Sequence, residues 1–150
     1  VEMVMVGHLL VPVLDTLPAS VSKVVVTDLL RKKMKFRGLI ITDALGMEGV
    51  LEPFGGSGAK ATLAAYKAGV DILLMPDNVS ESIDLIVDYI GDDRRKLKDL
   101  DARVSRVLAL KGKCGKLTGR DDLSVDPAAV DTKGTDALIT TIEETLAAGR

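Results

Sequence analysis

A chain that carries Leu39-Ile40-Ile41 between Gly38 and Thr42-Asp43 leaves that stretch few options. Three consecutive branched aliphatic residues with no polar alternation predict a strand buried on both faces, as in a parallel sheet. Asp43 falls where that strand should end, and Gly46 loosens the backbone just after it. In parallel α/β folds, side chains at the carboxyl ends of strands reach ligands, so a carboxylate there is a candidate for chemistry. On position alone the commoner use of such an Asp is to cap the next helix or satisfy turn amides.

The rest of the chain repeats the strand–helix alternation on either side of this stretch. Val1 to Val6 reads as a strand ending at Gly7 and His8, and Pro12 and Pro18 bracket an irregular connection through Asp15 and Thr16. Ser22 is placed to cap a helix that buries Val25 and Leu29, with Val26, Leu30 and Met34 beside them, and that ends in the basic turn Arg31-Lys32-Lys33. After Met47, the glycine-rich run Pro53 to Gly58 lacks the Lys-Ser/Thr of a phosphate loop and an immediately preceding strand, so it reads as a flexible connection. Ser57 or Gly58 should start a helix over Ala59 to Lys67, closed by Gly69. Val70 to Met75 reads as a third strand, stopped by Pro76. Ser80 then caps a helix carrying Ile83, Ile86, Val87 and Ile90. A further amphipathic helix, about Leu97 to Lys111, places Leu100, Val104, Val107 and Leu108 at helical spacing. Strand starts about 30 residues apart are the size of a β/α unit, which predicts a parallel sheet with right-handed crossovers. From Gly119 a polar loop through Asp121, Asp122, Pro127 and Asp131 leads to one more helix, near Thr135 to Ala148, as a possible linker to a further domain.

Composition narrows the function. At 150 residues and 47% hydrophobic the chain can bury one real core. Its net charge of −2 and the lack of a dominant basic cluster exclude nucleic acid as an expected partner. The run Arg94-Arg95-Lys96 with Lys98 lies among Asp92, Asp93, Asp99 and Asp101, which reads as a solvated surface rather than a phosphate site. Cys114 is the single cysteine, a passive thiol, so neither an intrachain disulfide framework nor a cysteine metal cluster is expected. No apolar run approaches the length of a membrane span. A chain that opens inside an apolar run without Met is expected to be a piece of something longer.

Several segments together carry a family resemblance. Val4-Met5-Val6-Gly7-His8, Leu17-Pro18-Ala19-Ser20, Leu29-Leu30-Arg31 and Phe36 through Met47 resemble glycoside hydrolase family 3, in its bacterial β-N-acetylhexosaminidase branch. Ala68 through Pro76 and Leu100 through Leu108 agree with it, in the family's order and spacing. The resemblance implies an α/β fold that is a partial TIM (β/α)8 barrel. Its last three β/α units would occupy residues 1–117, with a polar loop and helix over 118–150. It further implies that Asp43, in the Thr-Asp motif after the seventh strand, is the catalytic nucleophile of a retaining enzyme. His8 would share that rim, binding a sugar hydroxyl or orienting the nucleophile, or else sit satisfied in the barrel wall. Met47 would contact the sugar, although packing is the commoner use of such a methionine. Asp71 and Asp77 read as structural. The implied substrate is a terminal β-linked N-acetylglucosaminide, of peptidoglycan origin among others, and no metal or organic cofactor is implied.

The family's first five strands, its lysine-histidine sugar segment and its acid/base loop have no counterpart in these residues, and three units cannot close an eight-stranded barrel. The expected partner is therefore the rest of the barrel, in the same longer chain or in an oligomer. The chain alone is expected not to hydrolyse a glycoside. Three other readings stay open: a β-glucosidase of the same family, a non-catalytic α/β remnant that binds a sugar or a partner chain, and a doubly wound small-molecule-binding domain.

Overall fold

The computed structural model describes residues 1–113, which fall within one compact unit, Val1–Lys116. Cys114, the polar loop from Gly119 and the helix expected near Thr135 to Ala148 lie outside the described residues.

Two parallel strands, β1 (Met3–Val6) and β2 (Leu39–Thr42), pair with Met3 opposite Leu39 and Val6 opposite Thr42. All four residues of β2 are buried, as its unbroken apolar run requires. Full burial of each of its large aliphatic side chains contributes roughly 1.5–3 kcal/mol. Strand side chains alternate between faces. Val6 and Ile40 therefore join the main apolar core, with Val26, Leu45, Val50, Ala61 and Ala65, whereas Leu39 and Ile41 stand outside it. Met3 and Met5, their neighbours on that second face, are 44% and 54% exposed.

The stretch Val70 to Met75 is not the full third strand expected from its sequence. It runs parallel to β2 but makes a single bridge, Ile41 to Ile72. Side chains occupy the rungs on either side. The Asp71 carboxylate accepts the Ile40 N–H at 2.8 Å, and the Thr42 hydroxyl accepts the Leu74 N–H at 3.0 Å, where carbonyls would continue a ladder.

Between the strands runs a helix, Val24–Lys33, that is wider than an α-helix: the Met34 N–H reaches back to the Leu29 carbonyl at 2.8 Å. The β-branched run Val24-Val25-Val26-Thr27 crowds an ordinary turn and favours this geometry. The wider turn keeps Val26 fully buried but swings Met34, expected on the inner face, out to solvent. Ser22 does cap this helix, its hydroxyl accepting from the Val25 N–H.

The run after Met47 is ordered rather than a loose connection. It forms α1 (Glu48–Leu51) and a 3-10 turn, Glu52–Phe54, and Phe54 packs on the core before Gly55 and Gly56 turn the chain. The helix α2 (Gly58–Ala68) starts at Ser57, whose hydroxyl accepts the Lys60 N–H, and stops at Gly69. At Gly69 φ is +106°, and a Cβ would lie 2.5 Å from the Thr27 hydroxyl, so only glycine fits. The small residues Ala61, Ala65 and Ala68 line the buried face of α2.

The helix α3 (Val79–Ile90) is capped by Asn78, not by the expected Ser80: the Asn78 side-chain oxygen accepts the Glu81 N–H at 3.1 Å. Ile90 is buried, while Ile83 and Val87 are exposed. The helix α4 (Arg94–Lys113) buries Arg103 rather than its apolar stripe. Val104 and Leu108 are each 47% exposed and line an open groove with Leu73, Ile86 and Leu100. What holds α4 is polar. Arg103 donates to the Tyr66 and Val70 carbonyls at 2.8 and 2.7 Å, and Arg106 donates to Asp71 at 3.0 and 2.7 Å.

Candidate active site

Asp43 follows β2 directly and extends its pairing, its N–H donating to the Val6 carbonyl at 3.1 Å. By strand alternation it belongs to the side of Leu39 and Ile41, which stand outside the main apolar core. The carboxylate is half-buried, and one of its oxygens accepts the N–H of Ala44 at 2.8 Å. No cation forms an ion pair with Asp43 among the described residues, so the other oxygen is free to meet a ligand.

His8 lies beside the segment that carries Asp43 and is engaged at both ring nitrogens. Nε2 is 2.9 Å from the Ala44 carbonyl, and Nδ1 is 2.6 Å from the Ser20 hydroxyl. A carbonyl can only accept, so Nε2 carries the proton; in the neutral ring Nδ1 then accepts from Ser20. Ser20 is completely buried, which fixes the ring. His8 is thus a tether between the Ala19–Val21 turn and the residue after Asp43. With both ring nitrogens engaged, it has none free to offer a ligand. The Ala44 carbonyl also accepts the Met47 N–H at 3.2 Å, so one oxygen anchors both the histidine and the start of α1.

Met47 precedes α1 and is half exposed, on the same loop as Asp43. Asp77 lies just before Asn78, the cap of α3. Its carboxylate packs against Gly46 and Gly58, and a Cβ at Gly46 would lie 2.3 Å from one of its oxygens. Gly46 is therefore a point of close approach between the Asp43 loop and the residue that follows Pro76. Asp71 lies at the other end of β2 and is structural. Its carboxylate is fully buried and binds Arg31, the Ile40 N–H and Arg106. Ser20 and the Ala44 carbonyl had no assigned role in the sequence. The only signal was a small polar residue in the Leu-Pro-Ala-Ser motif near the lone histidine.

Among the described residues no group of His, Cys, Asp or Glu side chains is disposed to hold a metal ion, and no helix is long and apolar enough to cross a membrane.

Parallel strands with helices packed on one sheet face make an α/β domain, and its likeness to family and solved structures places it in the TIM-barrel-like class. Residues 1–110 match the glycosyl hydrolase family 3 N-terminal domain, and the chain belongs to that family.

Similar proteins agree. A protein named Beta-hexosaminidase A from Pseudoalteromonas piscicida is 29% identical over 132 residues, covering 74% of this chain and 22% of the relative. A Beta-N-acetylglucosaminidase/beta-glucosidase of Cellulomonas fimi is 32% identical over 126 residues, covering 77% and 22%. The chain therefore spans less than a quarter of the length of either relative. A family 3 beta-N-acetylglucosaminidase structure from a Paenibacillus species superposes with a TM-score of 0.70 at 28% identity, covering 79% of this chain and 23% of that one. A Beta-N-acetylhexosaminidase from Beutenbergia cavernae gives 0.65 at 29%, covering 74% and 33%.

Proposed function

We propose that residues 1–117 are the last three β/α units of a (β/α)8 barrel, and that residues 118–150 link it to a further domain. The barrel belongs to a retaining glycoside hydrolase that cleaves terminal β-linked N-acetylglucosamine, peptidoglycan-derived saccharides included. The half-covered face of Met3, Met5, Leu39 and Ile41 supports the barrel reading, because in a closed barrel that face points inward onto the other strands. Those strands belong to the same longer chain or to an associated copy.

The observation that carries the catalytic reading is Asp43, half-buried at the exit of β2 with one carboxylate oxygen unclaimed. In the proposed reaction that oxygen attacks the anomeric carbon. The glycosidic C–O bond breaks, its electron pair goes to the leaving oxygen, and a second group supplies the proton. Water, deprotonated by that second group, then cleaves the glycosyl ester with retention. His8 is tied up by Ser20 and Ala44, and the family resemblance implies that the second group comes from an acid/base loop outside these residues. The role of His8 is to orient the nucleophile: it fixes Ala44, whose N–H in turn fixes the Asp43 carboxylate. Met47 offers an exposed apolar contact for the sugar from the same loop. Isolated residues 1–150 are accordingly inert.

A 5-fluoro-N-acetylglucosaminyl fluoride trap followed by peptide mass spectrometry on the active polypeptide should label the peptide that contains Asp43. Label elsewhere, or an Asp43→Asn variant that keeps a substantial share of wild-type turnover, would refute the assignment. The Cellulomonas fimi relative's name covers both sugars, so β-glucosidase is the second reading. Comparing kcat/KM on the 4-nitrophenyl glycosides of glucose and N-acetylglucosamine separates the two.

A further inference from the structure

At the start of the strands, on the opposite end of β2 from Asp43, lies a cavity of about 380 Å³. Its charged lining is Arg31, Lys32, Lys67, Arg103 and Arg106 with a single carboxylate, Asp99. Five cations around one carboxylate in a chain of net charge −2 is a strong local excess.

The excess survives a count of ion pairs. Arg103 is neutralised by Asp99 at 2.5 Å, and Lys32 by Asp28 at 2.7 Å. Arg31 and Arg106, however, share one counterion, Asp71, which lies fully buried beneath them and binds one guanidinium through each oxygen. Lys67 forms no ion pair among the described residues. One uncompensated positive charge belongs to the Arg31–Asp71–Arg106 triad; a second, on Lys67, has no carboxylate partner among the described residues and lies over the Tyr89 ring, with Nζ 4.5 Å from its centre.

The arginines are also held for use. Arg103 is nearly buried, fixed by two carbonyls and stacked over the Tyr66 ring at 4.3 Å. Arg106 spends only its Nε and Nη2 on Asp71, leaving the Nη1 hydrogens without a partner among the described residues. Burial, followed by the nearby Arg106 and Arg103 charges, works to lower the Arg31 pKa, against the pull of Asp71. An anion seated among these groups relieves that crowding, and planar guanidinium forks match the oxygens of a phosphate.

We propose that this cavity is a binding site for a phosphate dianion, free or as the monoester of a small molecule. It is separate from the glycosidase site. From Gly38 to Asp43 the chain advances about 16 Å at strand rise.

The test is thermal melting and calorimetry of the purified full chain in millimolar inorganic phosphate at a pH above 7, against chloride and acetate at matched ionic strength. Specific binding to the folded state raises Tm by linkage. Phosphate is expected to bind saturably and raise Tm, and acetate is not. The exposed-residue variant Lys67→Gln should weaken phosphate about tenfold, the scale of one charge-assisted contact, while leaving Tm in chloride unchanged. Arg106→Gln should abolish binding; Lys32→Gln, whose charge Asp28 already offsets, should weaken it less than Lys67→Gln does. Glycerol phosphate and phosphatidic acid vesicles, run as separate arms, distinguish a small monoester from a lipid headgroup. Equal stabilisation by all anions, absence of saturable phosphate binding, or an affinity untouched by both Lys67→Gln and Lys32→Gln would overturn the proposal.

Discussion

Replacing Asp71 by Asn removes one negative charge from a site where side-chain exposure is 0%. The carboxylate accepts from Arg31 and the Ile40 N–H (2.8 Å) on one oxygen, and from Arg106 Nε and Nη2 (3.0 and 2.7 Å) on the other. Asn offers one acceptor oxygen and an NH2 group. If the amide oxygen faces Arg106, the NH2 meets the donors of Arg31 and Ile40; turned round, it meets those of Arg106. Either way two hydrogen bonds are lost and two guanidinium groups remain with no counterion. Charge-assisted bonds contribute about 1.5–3 kcal/mol each, and breaking a buried ion pair by removing one partner costs about 3–5 kcal/mol. Arg31 and Arg106 are 18% and 32% exposed, so the expected loss is near the lower end, about 3 kcal/mol. Urea unfolding followed by far-UV circular dichroism measures it. The control is Asp28→Asn, which breaks the exposed Lys32 pair and should leave the unfolding midpoint essentially unchanged. A loss below about 1 kcal/mol for Asp71→Asn would refute the reasoning, because it would mean that the buried carboxylate is not what holds the two arginines.

Gly38→Ala places a Cβ 2.3 Å from the Glu2 carbonyl oxygen, which accepts the Leu39 N–H, so the strand pair must spread. We expect about 1–3 kcal/mol of destabilisation in the same unfolding assay. Ser20→Ala removes the donor to His8 Nδ1 inside the core, and should cost about 1–3 kcal/mol and loosen the Ala44 loop, read as faster amide exchange at Met47. Asp15 is held below its ordinary value of 3.8, first by the Ser22 hydroxyl and then by the amides of Leu17 and Thr16, with burial opposing them. A lowered folded-state value means that its contribution is complete above pH 3.8 and is lost as pH falls through the lower native value. Carbon-detected titration should find that native midpoint below 3.8, and Ser22→Ala should return it towards 3.8.

What could be read from the sequence was local. The burial of Leu39-Ile40-Ile41, the position of Asp43 at a strand exit, the Ser57 start of α2 and the Gly69 stop each depend on neighbours a few residues away. The misreadings have a common cause in partners distant along the chain. Val70 to Met75 has a strand's composition, but Asp71 and Thr42 occupy its rungs from the side. The apolar stripe of α4 predicted its buried face, yet Arg103 and Arg106, bonded to groups more than thirty residues earlier, set which side faces in. His8 is defined by Ser20 and Ala44, neither of them near in sequence. Met34 failed because a wider helix turns less per residue than the period assumed for it. Choosing Ser80 over Asn78 as a cap is a shift of two residues between equally good capping types.

The shared Asp71 counterion also has a consequence for the order of synthesis. Arg31 is made before Asp71, but Arg106 follows it by 35 residues. At 5–20 residues per second that gap lasts about 2–7 s. During it the nascent chain holds Asp71 with one guanidinium and one idle oxygen. The buried triad in this unit is therefore complete only once the middle of α4 has been made.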